Sequence, residues 1–128
     1  MNEQHEGREQ FAKAVIGLVG MYRSQEELSI YEMLRRIGYP TQRTSLTVDT
    51  IRMVLASEPE RLKEWLAYSE DKRVDAGWYL RRSDGGDFEV GNLCRDGSVS
   101  ERRNYQDLED ACGDFILHEL DEIAFGSK

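Results

Sequence analysis

The chain predicts an α+β domain: about four N-terminal helices, a small antiparallel sheet of two to three strands, and a C-terminal helix packed on the sheet. Three observations carry this. Apolar residues recur at helical spacing from Phe11 to Leu66, the pattern changes to period two at Gly77, and helical spacing returns from Gln106 to Ala124. No internal repeat interrupts that order, and no stretch is rich enough in Pro, Ser or Gly to serve as a domain linker.

Residues 1–8 read as a frayed arm, followed by a first helix with Phe11, Val15, Leu18, Val19 and Tyr22 on its apolar side. Gly17 and Gly20 fall inside it, where close approach of a neighbouring helix explains them better than a ligand. Ser24 and Glu27 have capping-box spacing for a second helix that carries Ile30, Met33, Leu34 and Ile37 inward and is stopped by Gly38 and Pro40. Thr41 to Leu46 is expected as a polar connector. Thr47 then caps a third helix with Val48, Ile51, Val54 and Leu55 inside. Ser57 and Glu60, again at capping-box spacing with Pro59 between them, open a fourth helix to about Ser69, with Leu62, Trp65 and Leu66 inward.

From Gly77 the alternation puts Trp78 and Leu80 on one face and Tyr79 and Arg81 on the other, and Phe88 and Val90 repeat it after the turn sequence Ser83-Asp84-Gly85-Gly86-Asp87. This is a β-hairpin. An Asp96-Gly97 turn allows a short polar third strand over Val99 to Arg103. In the last helix Leu108, Cys112, Phe115, Ile116, Leu120 and Ile123 share one arc, and Glu119 falls within it.

A length of 128 residues suits one domain over 1–128. A composition of 39% hydrophobic and 33% charged residues is that of a folded soluble protein, and the longest apolar run, Ala14 to Met21, is far short of the ~20 residues of a membrane span. The polar N-terminus lacks the signature of a secretory signal, so a cytoplasmic location and no membrane partner are expected. A net charge of −8 argues against direct nucleic-acid binding, whose affinity comes largely from Lys and Arg on phosphates. A basic protein partner fits that charge better; a negative surface that serves solubility alone is the plain alternative. Cys94 and Cys112 lack CxxC spacing and read as two reduced thiols, at least one buried, although a disulfide between them stays open.

The distinctive stretch is the last helix. Asp107, Glu109, Asp110, Asp114, Glu119, Asp121 and Glu122 occur with no Lys or Arg among them, so their counter-charges come from elsewhere in the fold or from another molecule. The helix dipole accounts for carboxylates in the first turn but not for Asp121 and Glu122 at the other end. Asp110, Asp114, Asp121 and Glu122 on the outer arc are therefore the expected partner-binding residues. Glu119, on the inner arc, must be paired, hydrogen-bonded or protonated, and Arg81, Arg82, Arg102 and Arg103 are its candidate partners. Asp114, His118 and Glu122 share i,i+4 spacing, the thin basis for a metal-binding or enzymatic alternative. With two histidines and no nucleophile elbow, a catalytic triad has little support. The glycines at 85, 86 and 91 lack the ending of a phosphate loop, and nothing calls for a cofactor.

The segments Trp65-Leu66-x-Tyr68-Ser69-Glu70-Asp71-Lys72-Arg73, Gly77-Trp78-Tyr79, Phe88-Glu89-Val90-Gly91 and Ala111-Cys112-Gly113-Asp114-Phe115-Ile116, with Glu119-Leu120 beyond, resemble those of small bacterial immunity proteins. Such proteins accompany polymorphic or contact-dependent growth-inhibition toxins. The resemblance spans roughly the C-terminal half. It implies a stoichiometric, non-enzymatic inhibitor that occludes a cognate toxin domain, often a basic nuclease, and it transfers no catalytic residue. The runner-up expectation is a small adaptor or homodimer whose acidic face is merely solvated.

Overall fold

The computed structural model describes residues 3–18, 29–71 and 77–125. Helix α1 spans Glu3–Ile16, α2 Ile30–Arg36, α3 Tyr39–Gln42, α4 Val48–Ser57, α5 Glu60–Asp71 and α6 Leu108–Phe125, with a 3-10 turn at Arg43–Ser45. Strands β1 (Gly77–Arg82), β2 (Phe88–Leu93) and β3 (Val99–Tyr105) lie between α5 and α6 and form an antiparallel sheet in that order. The α+β class and the order of helices, sheet and final helix are those the sequence predicts.

The helical section departs from expectation in detail. Helix α1 extends back to Glu3, into the stretch read as an arm, and buries Phe11, Ala12, Val15 and Ile16. Val19, Gly20, Tyr22, Ser24 and Glu27 lie outside the described residues. The cap on α2 is Ser29, whose hydroxyl accepts from the Glu32 amide at 3.1 Å; Ser29 and Glu32 have the same capping-box spacing. Gly38 and Pro40 do not lead into a plain connector: Gly38, at φ +80°, turns the chain and Pro40 sits in the first turn of α3, which buries Tyr39 completely. Thr47 caps α4 as expected, accepting from the Thr50 amide at 3.1 Å, while Ile51, Val54 and Leu55 go inside and Val48 stays 38% exposed. Ser57 does not cap α5. It is the last residue of α4, and its hydroxyl donates back to the Val54 carbonyl. Trp65 of α5 is fully buried, and its indole N–H reaches the Ile16 carbonyl at 2.8 Å, satisfying one of the acceptors left open at the end of α1.

The hairpin forms in the expected phase, with Trp78, Leu80 and Val90 buried against the helices and Tyr79 paired with Gly91 and Arg81 with Glu89 across the ladder. Strand β3 runs two residues beyond its predicted end, to Tyr105. It is bulged: Val90 pairs with Arg103 and Asn92 with Ser100, leaving Glu101 and Arg102 opposite Gly91, with Glu101 at φ 53°. Bulge and charge together discourage pairing of this edge with another strand. At the β1 edge the Leu80 amide is satisfied by the Ser69 hydroxyl of α5, at 2.7 Å in a buried setting.

Helix α6 is the centre of the fold. It packs against α2, α3, α4, α5 and all three strands, and the seven consecutive residues Ala111 to Leu117 are buried. Gly113 faces α4, where a Cβ would stand 3.5 Å from a Val48 methyl, an ordinary contact. A helix surrounded in this way has no fully solvated arc, so the division of α6 into an inner and an outer face holds only in part.

Candidate functional site

The carboxylates expected on an exposed outer arc are mostly used inside the molecule. Asp114 is 6% exposed. It accepts from the Tyr105 hydroxyl at 2.7 Å and from Arg103 Nη1 at 3.1 and 3.2 Å, both from β3. Asp121 accepts from Arg43 Nε at 2.6 Å and Nη2 at 2.9 Å, and from the buried Tyr39 hydroxyl at 2.7 Å. Asp110 lies 2.5 Å from Arg52 Nε of α4. The helix, which has no Lys or Arg, thus draws a guanidinium from each of three other parts of the fold. Glu122 is half-buried and makes no ion pair among the described residues. Of the four carboxylates placed on the outer arc, Asp114 is buried, while Asp110, Asp121 and Glu122 stay partly exposed, the first two paired with arginines of the same chain. Periodicity reports the angle around a helix and not which neighbours occupy it.

Asp114 also meets His118, one turn along α6, whose Nδ1 is 2.8 Å from Asp114 Oδ1 and 3.0 Å from the Asp114 carbonyl. Two acceptors on one nitrogen fix a hydrogen on Nδ1, leaving Nε2 to gain or lose the second proton. The other contact of the ring is Trp78 of β1, stacked on it with centroids 4.0 Å apart. Burial pulls the Asp114 pKa upward, but hydrogen bonds from His118 and Tyr105 and the charges of His118 and Arg103 outweigh it, so the carboxyl sits below its ordinary value. The hydrogen bond to Asp114 raises the His118 pKa against the opposing effect of burial. Glu122 does not complete a ligand set with these two: among the described residues no three His, Cys, Asp or Glu side chains converge on a point that could hold a metal ion.

Glu119 is buried at 4% exposure, as its position in the inner arc implies, and accepts from the Tyr68 hydroxyl of α5 at 2.6 Å. The arginines proposed for it are engaged elsewhere. Arg81 and Arg102 flank Glu89 at 3.3 and 3.4 Å, Arg103 holds Asp114, and Arg82 lies over the Phe88 ring. Glu89, only 6% exposed, also receives the Tyr79 hydroxyl, and that bond, ahead of the two arginine charges, holds its pKa below the ordinary glutamate value. Tyr79, Arg81, Glu89 and Arg102 therefore form a closed polar cluster on the side of the sheet turned away from the helices, and no sequence spacing pointed to it.

Where the acidic surface does open is a cleft of about 690 Å³ between α4 and the start of α6. Asp49, Asp107, Glu109 and Asp110 line it with Arg52, Met53 and Ala56, so four carboxylates face one guanidinium. Met53 is 56% exposed, the most exposed of the large apolar side chains among the described residues. The Asp49 side chain is 89% exposed. Asp110 alone was expected at a binding surface. Asp107 and Glu109 were attributed to the helix dipole, and Asp49 and Met53 carry no signal, because nothing in a single sequence tells that α4 lies beside the start of α6. A smaller cavity of about 300 Å³ lies along the β1 edge, lined by Ser69, Trp78, Tyr79, Leu80, Leu93 and Val99 among others.

Cys94 and Cys112 are separate thiols, the former partly exposed and the latter buried, where loss of hydration raises its pKa well above the ordinary thiol value. No helix among the described residues is long and apolar enough to cross a membrane. Comparison with protein-family models, curated proteins and solved structures finds no match to this chain.

Proposed function

We propose that this domain is a protein-binding inhibitor of the immunity type, which neutralises a basic toxin domain, such as a nuclease, by covering the cationic surface that would otherwise meet its substrate. In this reading it works in the cytoplasm, is not an enzyme, and touches protein and not nucleic acid.

The observation that carries the reading is the cleft between α4 and α6, which Asp49, Asp107, Glu109 and Asp110 line together with Met53, with Arg52 as the one cation in the lining. Arg52 pairs with Asp110 at 2.5 Å and with Asp49 at 3.7 Å, which leaves the lining net negative. An excess of one sign in a concave site steers an oppositely charged partner and raises its association rate. An exposed methionine adds an adaptable apolar contact at the same place. The positive end of the α6 dipole makes the carboxylates of its first turn less costly to hold together. Of the residues first singled out, Asp110 belongs to this rim, Glu122 lies outside it, and Asp114 and Asp121 are held by Arg103 and Arg43 within the fold.

The test is association of the purified chain with the C-terminal domain of a secreted protein encoded beside its gene. Asp49→Lys with Asp107→Lys is expected to slow association about tenfold or more and to flatten its salt dependence, while the dissociation rate changes less. Absence of binding, or association as fast and as salt-sensitive in the variant, overturns the proposal.

A further inference from the structure

His118 occupies a place that a structural histidine does not require. Its Nδ1 points at the Asp114 carboxylate and carbonyl, at 2.8 and 3.0 Å, and its ring lies flat on Trp78. Asp114 in turn is held by Tyr105 and Arg103. One turn of α6 thus ties the helix to both edge strands of the sheet, to β1 through Trp78 and to β3 through Tyr105 and Arg103. The His118 side chain is 32% exposed, so a solvent proton can reach the junction.

We propose that His118 is a proton-operated clamp between α6 and the two edge strands: with a proton on Nε2 the imidazolium is held between the Asp114 carboxylate and the Trp78 indole, and loss of that proton slackens the junction. Three interactions change together on protonation. The Nδ1–H bond to Asp114 becomes charge-assisted on both sides, which makes it shorter and stronger. The stacked ring acquires a positive charge over the indole face, a cation–π contact. The buried Asp114 gains a full counter-charge beside the shared Arg103.

The groups facing His118 favour this on balance. Asp114 draws the proton in, the Arg103 charge from β3 opposes it, the Tyr105 hydroxyl donates to Asp114, and Trp78 of β1 is neutral and electron-rich on its face. Glu119, next in the chain, is turned toward Tyr68 of α5, and Glu122 lies one further turn along α6. Nothing in this depends on what the domain binds.

The chain carries its own reporter, because an imidazolium stacked on an excited indole accepts an electron from it and quenches emission more than neutral imidazole does. Trp65, the other tryptophan, is fully buried with its N–H on the Ile16 carbonyl. The experiment follows tryptophan emission and the histidine ring resonances of the full chain against pH, with His118→Gln to assign the resonance. His118 is expected to titrate above the ordinary value of about 6.5, and emission is expected to rise through that same midpoint. Trp78→Phe should abolish the emission change and Asp114→Asn should lower the midpoint. In urea, the wild type should exceed His118→Gln in unfolding midpoint at pH below about 6.5 and lose that advantage as pH rises through the measured His118 midpoint. A His118 midpoint at or below the ordinary value, an emission change that survives Trp78→Phe, or an advantage over His118→Gln that is the same on both sides of the midpoint overturns the proposal. If Asp114→Asn does not fold, the wild type, His118→Gln and Trp78→Phe decide the matter by themselves.

Discussion

Arg43 grips Asp121 at two points, Nε to Oδ1 at 2.6 Å and Nη2 to Oδ2 at 2.9 Å, and the hydroxyl of the fully buried Tyr39 shares the same carboxylate. The contact joins residues 78 positions apart in the chain and ties the 3-10 turn and α3 to the last turns of α6. Desolvation, followed by the hydrogen bond to Asp121, drives the Tyr39 pKa far above its ordinary value, so the hydroxyl stays a donor at any accessible pH.

Removing Asp121 should therefore destabilise the fold and not merely alter its surface. Asp121→Ala is expected to cost about 1–3 kcal/mol, since it leaves the Tyr39 hydroxyl without its acceptor, while the half-exposed Arg43 relaxes into water. Tyr39→Phe and Asp121→Ala should be non-additive in a double-mutant cycle by about 0.5 kcal/mol or more. Chemical denaturation of the four proteins measures this, and additive effects would show that the bond contributes nothing.

Stability on the acid side should depend on Asp114. Its folded pKa lies below the ordinary aspartate value, so its contribution is complete above that ordinary value and disappears as pH falls through the lower folded one. Glu89 acts in the same sense. Thermal unfolding from pH 7 down to about pH 2, spanning the ordinary carboxylate range, should show a wild-type melting temperature that falls more steeply than that of Asp114→Asn. The variant should already be less stable at neutral pH, by about 1–3 kcal/mol, because Tyr105 and Arg103 lose a charged acceptor.

Ser69 is the small residue with the most local consequence. Its hydroxyl accepts from the Leu80 amide at the β1 edge, and both groups are buried. Ser69→Ala is expected to cost about 1–3 kcal/mol by stranding that amide. Hydrogen exchange should show faster opening at Leu80 than at the β2 amides. An unchanged exchange rate at Leu80 would mean that water replaces the hydroxyl without loss.

Gly91 is required by its neighbours and not by its own backbone. A Cβ there would stand 2.7 Å from the Tyr79 hydroxyl oxygen and 2.9 Å from a Val99 methyl. Tyr79 cannot swing away without giving up its hydrogen bond to Glu89. Gly91→Ala should cost about 1–3 kcal/mol, as overpacking does, and the cost should shrink when Tyr79→Ala and Val99→Ala are already in place. Denaturation midpoints in the two backgrounds test this.

Local chemistry made much of the fold legible. The Thr47 cap, the alternation of Trp78 with Tyr79 and of Leu80 with Arg81, and the inward placement of Phe115, Ile116, Glu119 and Leu120 all follow from spacing, since they depend on neighbours one or two turns away. Boundaries were less secure where two signals compete. Ser57 has capping spacing yet ends α4, and Gly38-Pro40, which stops one helix, also starts the next.

By itself the sequence determined the α+β order, the central apolar arc of the last helix, and the fact that its carboxylates must find cations outside it. Tertiary structure alone decided which cations. Arg52, Arg43 and Arg103 come from α4, the 3-10 turn and β3, at sequence distances that no periodicity encodes. It also decided that Asp114 and Asp121 work inside the molecule and that acidic surface opens instead where Asp49 of α4 meets Asp107, Glu109 and Asp110. The physical reason is that spacing fixes the direction in which a side chain leaves its helix, while burial and charge balance depend on what the rest of the chain has folded against it.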